Sequence, residues 1–442
     1  MKLQSPWKPR LADGVDVASK RLAAALTEDI ASGLLRPGDR LPAHRPLSWA
    51  LKIGVATVTK AYTALERQGI ICSVHGRGSF VADIGPVAPP IVDLSINAPP
   101  QMITDRLLST TLATLTRRLD GGSFSQYTPA AGQAEHRRLL AGLLASRGMA
   151  TREEHVFMTS GAQQALMIAM SIACTAGSTL YTEAVTYTGA LLLARQMGLN
   201  TVGLAMDAEG LQPDLLDRAL ADNRSGRSVV YLTPTLQNPT TATMSEKRRR
   251  SIVEVCEQHD ALIIEDDVYS IFAPEFRPLA ALAPDRTFYV SGLSKTLSPG
   301  LRVGILAVPG WAAHKAELQS QMSQTMVSPL SAHIMAIWLS DGTADEVARS
   351  IRTEAARRSR LAESIFSSSR PIAANNGFHV WLPMPAVEAE NFVLRAAGKG
   401  IILLPAKASM TDPSAAQGGV RISLGGHDLA LLEKTLNILS GL

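Results

Sequence analysis

Residues 287–302 read Thr287-Phe-Tyr-Val-Ser-Gly-Leu-Ser-Lys295-Thr-Leu-Ser-Pro-Gly-Leu-Arg302, an apolar run and a glycine followed by a lysine and, seven residues on, an arginine. The run 287–291 has counterparts at 228–233, 261–265 and 304–308, and helical segments such as 245–258 lie between them. Alternation of this kind predicts an α/β domain with a largely parallel sheet. Lys295 then stands just beyond a buried strand, where a desolvated amine has its pKa lowered and can form a Schiff base with an aldehyde.

Four further motifs fit that chemistry. In Ala261-Leu-Ile-Ile-Glu-Asp266-Asp-Val-Tyr269, an acid at a strand end with a tyrosine three residues on can hold a protonated pyridine nitrogen and a ring hydroxyl. Val156-Phe-Met-Thr-Ser160-Gly-Ala-Gln-Gln-Ala165 runs from a strand through a glycine into a helix, whose N-terminus is an anion site. Asn238, before Pro239, follows the run 228–233 and can donate to the same ring hydroxyl. Arg421, in Gly419-Val-Arg421-Ile-Ser-Leu-Gly425, lies on a short apolar strand, where a substrate carboxylate would supply the anion it needs. Taken singly, each has a plainer reading as a surface lysine, an acidic cap, a turn or an internal salt bridge. Their order along the chain gives them weight.

The first 82 residues differ in charge. They carry twelve Lys/Arg against six Asp/Glu, a net +6 within a chain of net +4, leaving −2 for the rest. A basic module ahead of a slightly acidic body points to a polyanion partner for the module alone. Leu22, Leu26 and Ile30 have helical spacing; a short helix is expected over 45–51; and Val58, Ala61, Tyr62 and Leu65 form the buried stripe of a third helix. Two strands, 70–74 and 79–81, flank the turn 75–78. This order describes a winged helix-turn-helix. Thr57, Thr59 and Lys60 at the head of the third helix would face the major groove, Arg45 a phosphate, and His75 and Arg77 at the wing tip the minor groove. The Pro-rich span 83–92 reads as a linker, giving domains at 1–82 and 93–442.

At 442 residues, with 46% hydrophobic and 19% charged, the chain has room for two or three cores. Its three cysteines, Cys72, Cys174 and Cys256, are too few and too scattered for a disulfide framework or a zinc site. No metal is expected, the cysteines are expected in the core, and a cytoplasmic location is the default. No signal peptide is legible, and the most apolar stretch, 165–176, is too short to span a bilayer, so no membrane association is expected.

Two resemblances follow from these residues. Gly33-x2-Arg36-Pro-Gly-Asp-Arg-Leu-Pro42-x2-Arg45, Thr57-Val-Thr-Lys-Ala-Tyr62 and Gly76-Arg-Gly-Ser-Phe-Val81 resemble the GntR-type winged helix, although Gly54-Val55 stand where many members have Ser-Arg. Residues 93–442 resemble the fold type I pyridoxal-phosphate enzymes of the aminotransferase class, which implies a mainly parallel sheet and a smaller α+β subdomain. That resemblance implies that Lys295 forms the internal aldimine, Asp266 pairs with the pyridine nitrogen, Tyr269 and Asn238 contact the phenolic oxygen, and Tyr187 stacks on the ring. Ala162, Gln163, Ser294 and Arg302 would hold the phosphate, with Tyr127 arriving from a partner subunit, and Arg421, beside Asn238, would take a ligand carboxylate. Thr241 and Gly292 depart from the family, which usually has Gly and Ser there. The fusion is similar to the MocR subfamily of transcription regulators. It implies a homodimer that binds a double-stranded operator and senses an amine or amino-acid effector by external aldimine formation. The alternative is a working aminotransferase with a DNA-binding domain attached.

Overall fold

The computed structural model describes residues 5, 7–13, 16–67, 69–74, 78–82, 91–118, 121–223, 226–323 and 326–442. The chain forms two compact units, Met1–Pro90 and Ile91–Leu442.

In the first unit, helices α1 (Ala18–Ala31), α2 (His44–Leu51) and α3 (Val55–Arg67) precede the antiparallel strands β1 (Ile71–Val74) and β2 (Gly78–Val81). Leu22, Ala25 and Leu26 of α1 pack on Leu47 of α2 and on Val58, Ala61, Tyr62 and Leu65 of α3. The Tyr62 hydroxyl donates to Pro42 O at 2.8 Å, fixing α3 to the turn before α2. The α2–α3 turn takes its left-handed residue at Lys52 (φ 54°). His75 and Arg77 lie outside the described residues, as does 83–90 of the linker span, while Val92 already belongs to a short strand, Val92–Asp93, paired with Ile401–Ile402.

Residues 7–12 add something the basic pattern concealed. Trp7 is buried and its indole N–H donates to Asp29 Oδ2 at 2.6 Å, while Arg10 reaches Asp29 Oδ1 at 2.6 Å and Glu28 at 2.9 Å. The Arg10 guanidinium holds the Asp29 carboxyl below its ordinary range. Part of the local positive charge is therefore matched within the fold.

The second unit is built on a seven-stranded sheet. Its strands are β3 (Val156–Thr159), β4 (Thr179–Glu183), β5 (Asn200–Leu204), β6 (Ser228–Leu232), β7 (Leu262–Asp266), β8 (Thr287–Gly292) and β9 (Gly304–Ala307), in the order β3-β9-β8-β7-β6-β4-β5. β9 runs against both neighbours and every other pairing is parallel. β6, β7 and β8 are buried at every position, which explains why they read as continuous apolar runs. Helix α4 (Ala162–Ala173) lays Ala165, Ile168, Ala169 and Ile172 on the sheet beside Val229, Ile264, Phe288 and Leu306. Ser245 caps the helix Glu246–Gln258 by accepting from the Arg248 N–H. A separate core surrounds the antiparallel pair β10 (His379–Pro385) and β11 (Gln417–Ser423), joined by the second half of helix α5 (Thr343–Phe366) through Ala362 and Phe366. This is the smaller α+β part.

Cys174 and Cys256 are buried, but Cys72 is exposed, contrary to the expectation of three core cysteines. Only the first residue of β1, Ile71, faces the core, and the rest of that strand is open. Among the described residues no helix is long and apolar enough to cross a membrane.

Candidate cofactor and effector site

The C-terminal ends of the parallel strands converge, as open α/β sheets place their ligand sites. β7 ends at Asp266, with Tyr269 in the turn that follows; β8 ends at Gly292, and its turn carries Ser294 and Lys295; β6 leads through Thr233 to Asn238; and β3 leads through Gly161 into α4. With Arg421 from β11 and residues 95–98 from the segment after Pro90, these line a cavity of about 450 Å3. Ten of the sequence-derived candidates line it: Ala162, Gln163, Tyr187, Asn238, Asp266, Tyr269, Ser294, Lys295, Arg302 and Arg421. Tyr127 does not, and is 82% exposed.

The Lys295 amine donates to the Asn97 carbonyl. Burial pushes it down to about 8, helped by the Arg421 and Arg302 cations and opposed by Asp266. Asp266 is buried; its Oδ2 accepts from the Tyr231 hydroxyl at 2.9 Å, and its Oδ1 has no partner among the described residues. Burial raises this carboxyl to about 6, with the Tyr231 hydrogen bond opposing. Arg421 donates through Nη1 to Asn238 Oδ1 at 2.8 Å and through Nη2 to the Ser95 carbonyl, leaving Nε unpaired. Because the Asn238 oxygen is taken, its amide N–H groups remain to donate elsewhere.

At the other end, Gly161 takes φ 96° and ψ 165°, a conformation that essentially requires glycine, and opens α4. A Cβ there would meet Arg302 Nη2 at 2.5 Å, so the glycine admits the guanidinium over the helix N-terminus. Arg302 also donates to the Ser160 carbonyl at 3.2 Å. Ser294 Oγ is buried without a partner among the described residues. Tyr187 donates to Gln163 Oε1 at 2.9 Å, and Gln163 donates on to the Gly189 carbonyl at 3.3 Å. An acid with one unpaired oxygen, a depressed amine, a helix N-terminus with an arginine and an unpaired hydroxyl on one cavity fit the demands of pyridoxal phosphate: a pyridine nitrogen, an aldehyde and a phosphate.

Sequence reasoning missed three contributors. Tyr231 fixes Asp266 from the neighbouring strand, and its signal was the tyrosine within an otherwise aliphatic run. Asn97 donates to the Tyr269 hydroxyl at 2.8 Å and approaches His379 Nδ1 at 3.1 Å. Both lie far in sequence from every motif. In the first unit, Arg45, Thr59 and Lys60 are exposed and Thr57 is half-buried, while the Thr59 hydroxyl donates back to the Val55 carbonyl at 3.1 Å.

Comparison with known proteins agrees with this fold. The model of the class I and II aminotransferases matches residues 89–439. The chain belongs to that family. The model of the gntR family of bacterial regulatory proteins matches residues 18–81, so this aminotransferase-family chain carries a gntR-type helix-turn-helix at its N-terminal end, the MocR arrangement. It is similar to the HTH-type transcriptional regulator YdeF of Bacillus subtilis, 26% identical with 98% of this chain and 96% of the relative covered. It is likewise similar to the regulator YdcR of Escherichia coli, 27% identical over 88% of this chain and 91% of that one. Among solved structures, an archaeal alanine:glyoxylate aminotransferase shares the fold at a TM-score of 0.71 and 23% identity, covering 87% of this chain and 94% of that one. Kynurenine aminotransferase of Pyrococcus horikoshii does so at 0.72 and 21%, over 80% and 91%.

Proposed function

We propose that the chain is a DNA-binding transcription regulator that holds pyridoxal phosphate and responds to an amine or amino-acid effector. The observation that carries this reading is that Lys295, the unpaired Asp266 oxygen and Arg421 open on one cavity in a chain that also has a gntR-type reader. When bound, pyridoxal phosphate supplies an aldehyde that primary amines capture and a ring that draws electrons.

The chain's own groups divide the work. Lys295 presents the amine that an effector amine would replace. Asp266, fixed by Tyr231, offers its free oxygen to a protonated ring nitrogen and keeps that proton in place. Tyr269 accepts from Asn97, so its own proton is free for the phenolic oxygen, which the Asn238 amide also serves. Ala162 and Gln163 at the start of α4, with Ser294 and Arg302, would hold the phosphate, and Tyr187 would stack on the ring. Arg421 offers its fork and unpaired Nε to a carboxylate. In a homodimer the exposed Tyr127 would serve the partner's site. Arg45, Thr57, Thr59 and Lys60 would contact the operator, Arg45 on phosphate and the others at the head of the recognition helix. An effector acts on DNA binding only by the difference in its affinity for two arrangements of the readers.

A second reading, a working aminotransferase, is favoured by one observation: Lys295, Asp266 and Arg421 share a cavity within residues 89–439, which match the class I and II aminotransferases, and burial lowers the Lys295 amine toward the range of a general base. One experiment separates the two. DNA fragments selected by the chain from genomic DNA are titrated with the loaded chain, with and without a panel of amino acids, while keto-acid production is followed. The regulator reading expects an amino acid that changes DNA affinity, with Lys295→Ala retaining DNA binding and losing the response. Turnover at rates ordinary for enzymes, with no change in DNA affinity for any amino acid, would overturn it.

A further inference from the structure

Lys295 and Thr296 are adjacent in sequence yet line different cavities. The second cavity, of about 290 Å3, lies among the end of helix Ala134–Ala145, residues 270–274, the turn after β8 and the first turns of α5. Three arginines reach it, Arg147, Arg349 and Arg352, against one acid, Asp345. Asp345, Arg349 and Arg352 recur at helical spacing, so one face of α5 is turned toward it.

Arg147 donates to the Ser270 hydroxyl at 2.5 Å, bonds the Tyr289 hydroxyl and offsets the charge of buried Asp267, so it is largely spent on its neighbours. Arg352 donates to the Ile271 carbonyl at 3.2 Å, a neutral acceptor, and the ion pairs described along α5 are made further on, by Glu354 with Arg357 and Arg358. Each guanidinium has five N–H donors, so most of the donor capacity of Arg349 and Arg352 is open. Thr296 is only 4% exposed, and its hydroxyl has no hydrogen-bond partner among the described residues. A buried hydroxyl left unpaired is costly, and here it shares a cavity with the guanidinium groups of Arg349 and Arg352. Much of the remaining wall is hydrocarbon, from Leu143, Ile271, Leu293 and Leu297, with the side chains of Ser146 and Ser270 among them.

We infer that this cavity binds a small organic carboxylate, its head held by the arginines and the Thr296 hydroxyl and its apolar body packed on the leucines. Arginine forks match a carboxylate geometrically, the volume is at the lower end of small-molecule sites, and the apolar wall favours a ligand with a hydrocarbon part over a free inorganic anion. The site is separate from the Arg421 cavity, although the turn that carries Lys295 connects the two.

Calorimetric titration of the full chain with hexanoate, and in parallel with inorganic phosphate, tests this. The expected result is saturable hexanoate binding that survives Arg421→Gln, weakens at least tenfold in Arg349→Gln/Arg352→Gln, and weakens several-fold in Thr296→Val. Arg349 is exposed, so the single change Arg349→Gln, with circular dichroism unchanged, keeps the test free of misfolding and should weaken binding several-fold. Absence of saturable binding, loss of binding in Arg421→Gln, undiminished binding in the arginine variants, or phosphate binding as tightly as hexanoate would each overturn the inference.

Discussion

Asn97 Nδ2 donates to the Tyr269 hydroxyl at 2.8 Å and meets His379 Nδ1 at 3.1 Å, tying the segment after Pro90 to both subdomain cores. The Gln237 carbonyl lies 3.3 Å from His379 Nε2 and can only accept, so Nε2 carries the proton and Nδ1 receives one from Asn97. Burial, with the nearby Arg421 cation, pushes His379 down to about 3, keeping it neutral in that role. Asn97→Ala strands two buried polar groups and should cost about 1–3 kcal/mol in denaturant unfolding. A double-mutant cycle with Tyr269→Phe should show coupling above about 0.5 kcal/mol; additivity would mean that the bond contributes nothing.

The Lys295 amine sets a pH signature. Only the neutral amine attacks an aldehyde, and the folded chain holds this group near 8 rather than at the ordinary value of about 10.4. About one-tenth is then neutral at pH 7, about half at pH 8, and nearly all by pH 9 or a little above. The rate at which apo chain captures pyridoxal phosphate, followed by absorbance, should rise about five-fold from pH 7 to 8 and about two-fold from 8 to 9. A tenfold rise in each of the two intervals, about a hundredfold in all, would mean an unperturbed lysine.

Gly161→Ala addresses the phosphate end. The backbone there is glycine-only, and the added methyl group would meet Arg302 Nη2 at 2.5 Å. Strain of order 1–3 kcal/mol falls on the turn that would hold the phosphate, so cofactor affinity should drop about tenfold or more. The free pyridoxal dissociation constant should change little, because it lacks the phosphate. Equal loss for both would place the defect elsewhere.

Lys60→Ala and Arg45→Ala each remove an exposed cation from the reader. DNA affinity should fall for both, and the slope of log affinity against log salt should lessen by about 1 for each phosphate that is no longer neutralised. Unchanged slopes in both variants would mean that another face meets DNA.

Much of this architecture was legible because its signals are local. Buried parallel strands must be apolar on both faces, so β6, β7 and β8 stood out in sequence, and the residues just beyond their ends fall at the cavity. The helices of the reader were legible for a similar reason: Leu22 and Leu26, and Val58, Ala61, Tyr62 and Leu65, repeat at helical spacing. What sequence concealed depends on interactions between distant segments. Asn97 carries no motif, and its partners are 172 and 282 residues away. Arg10 looked like free positive charge, but Asp29 and Glu28 take it up. Cys72 follows a buried residue in a strand with one open face, and nothing local distinguishes that strand from a core strand.

On the proposed function, cofactor attachment depends on Lys295. Chain incubated with pyridoxal phosphate, reduced with borohydride, dialysed and digested should yield one peptide bearing the pyridoxyl mass on Lys295, while Lys295→Ala treated identically should lose its chromophore on dialysis. If the treated wild type gives up its chromophore as readily as Lys295→Ala, or if the mass sits on another lysine, the central claim is contradicted.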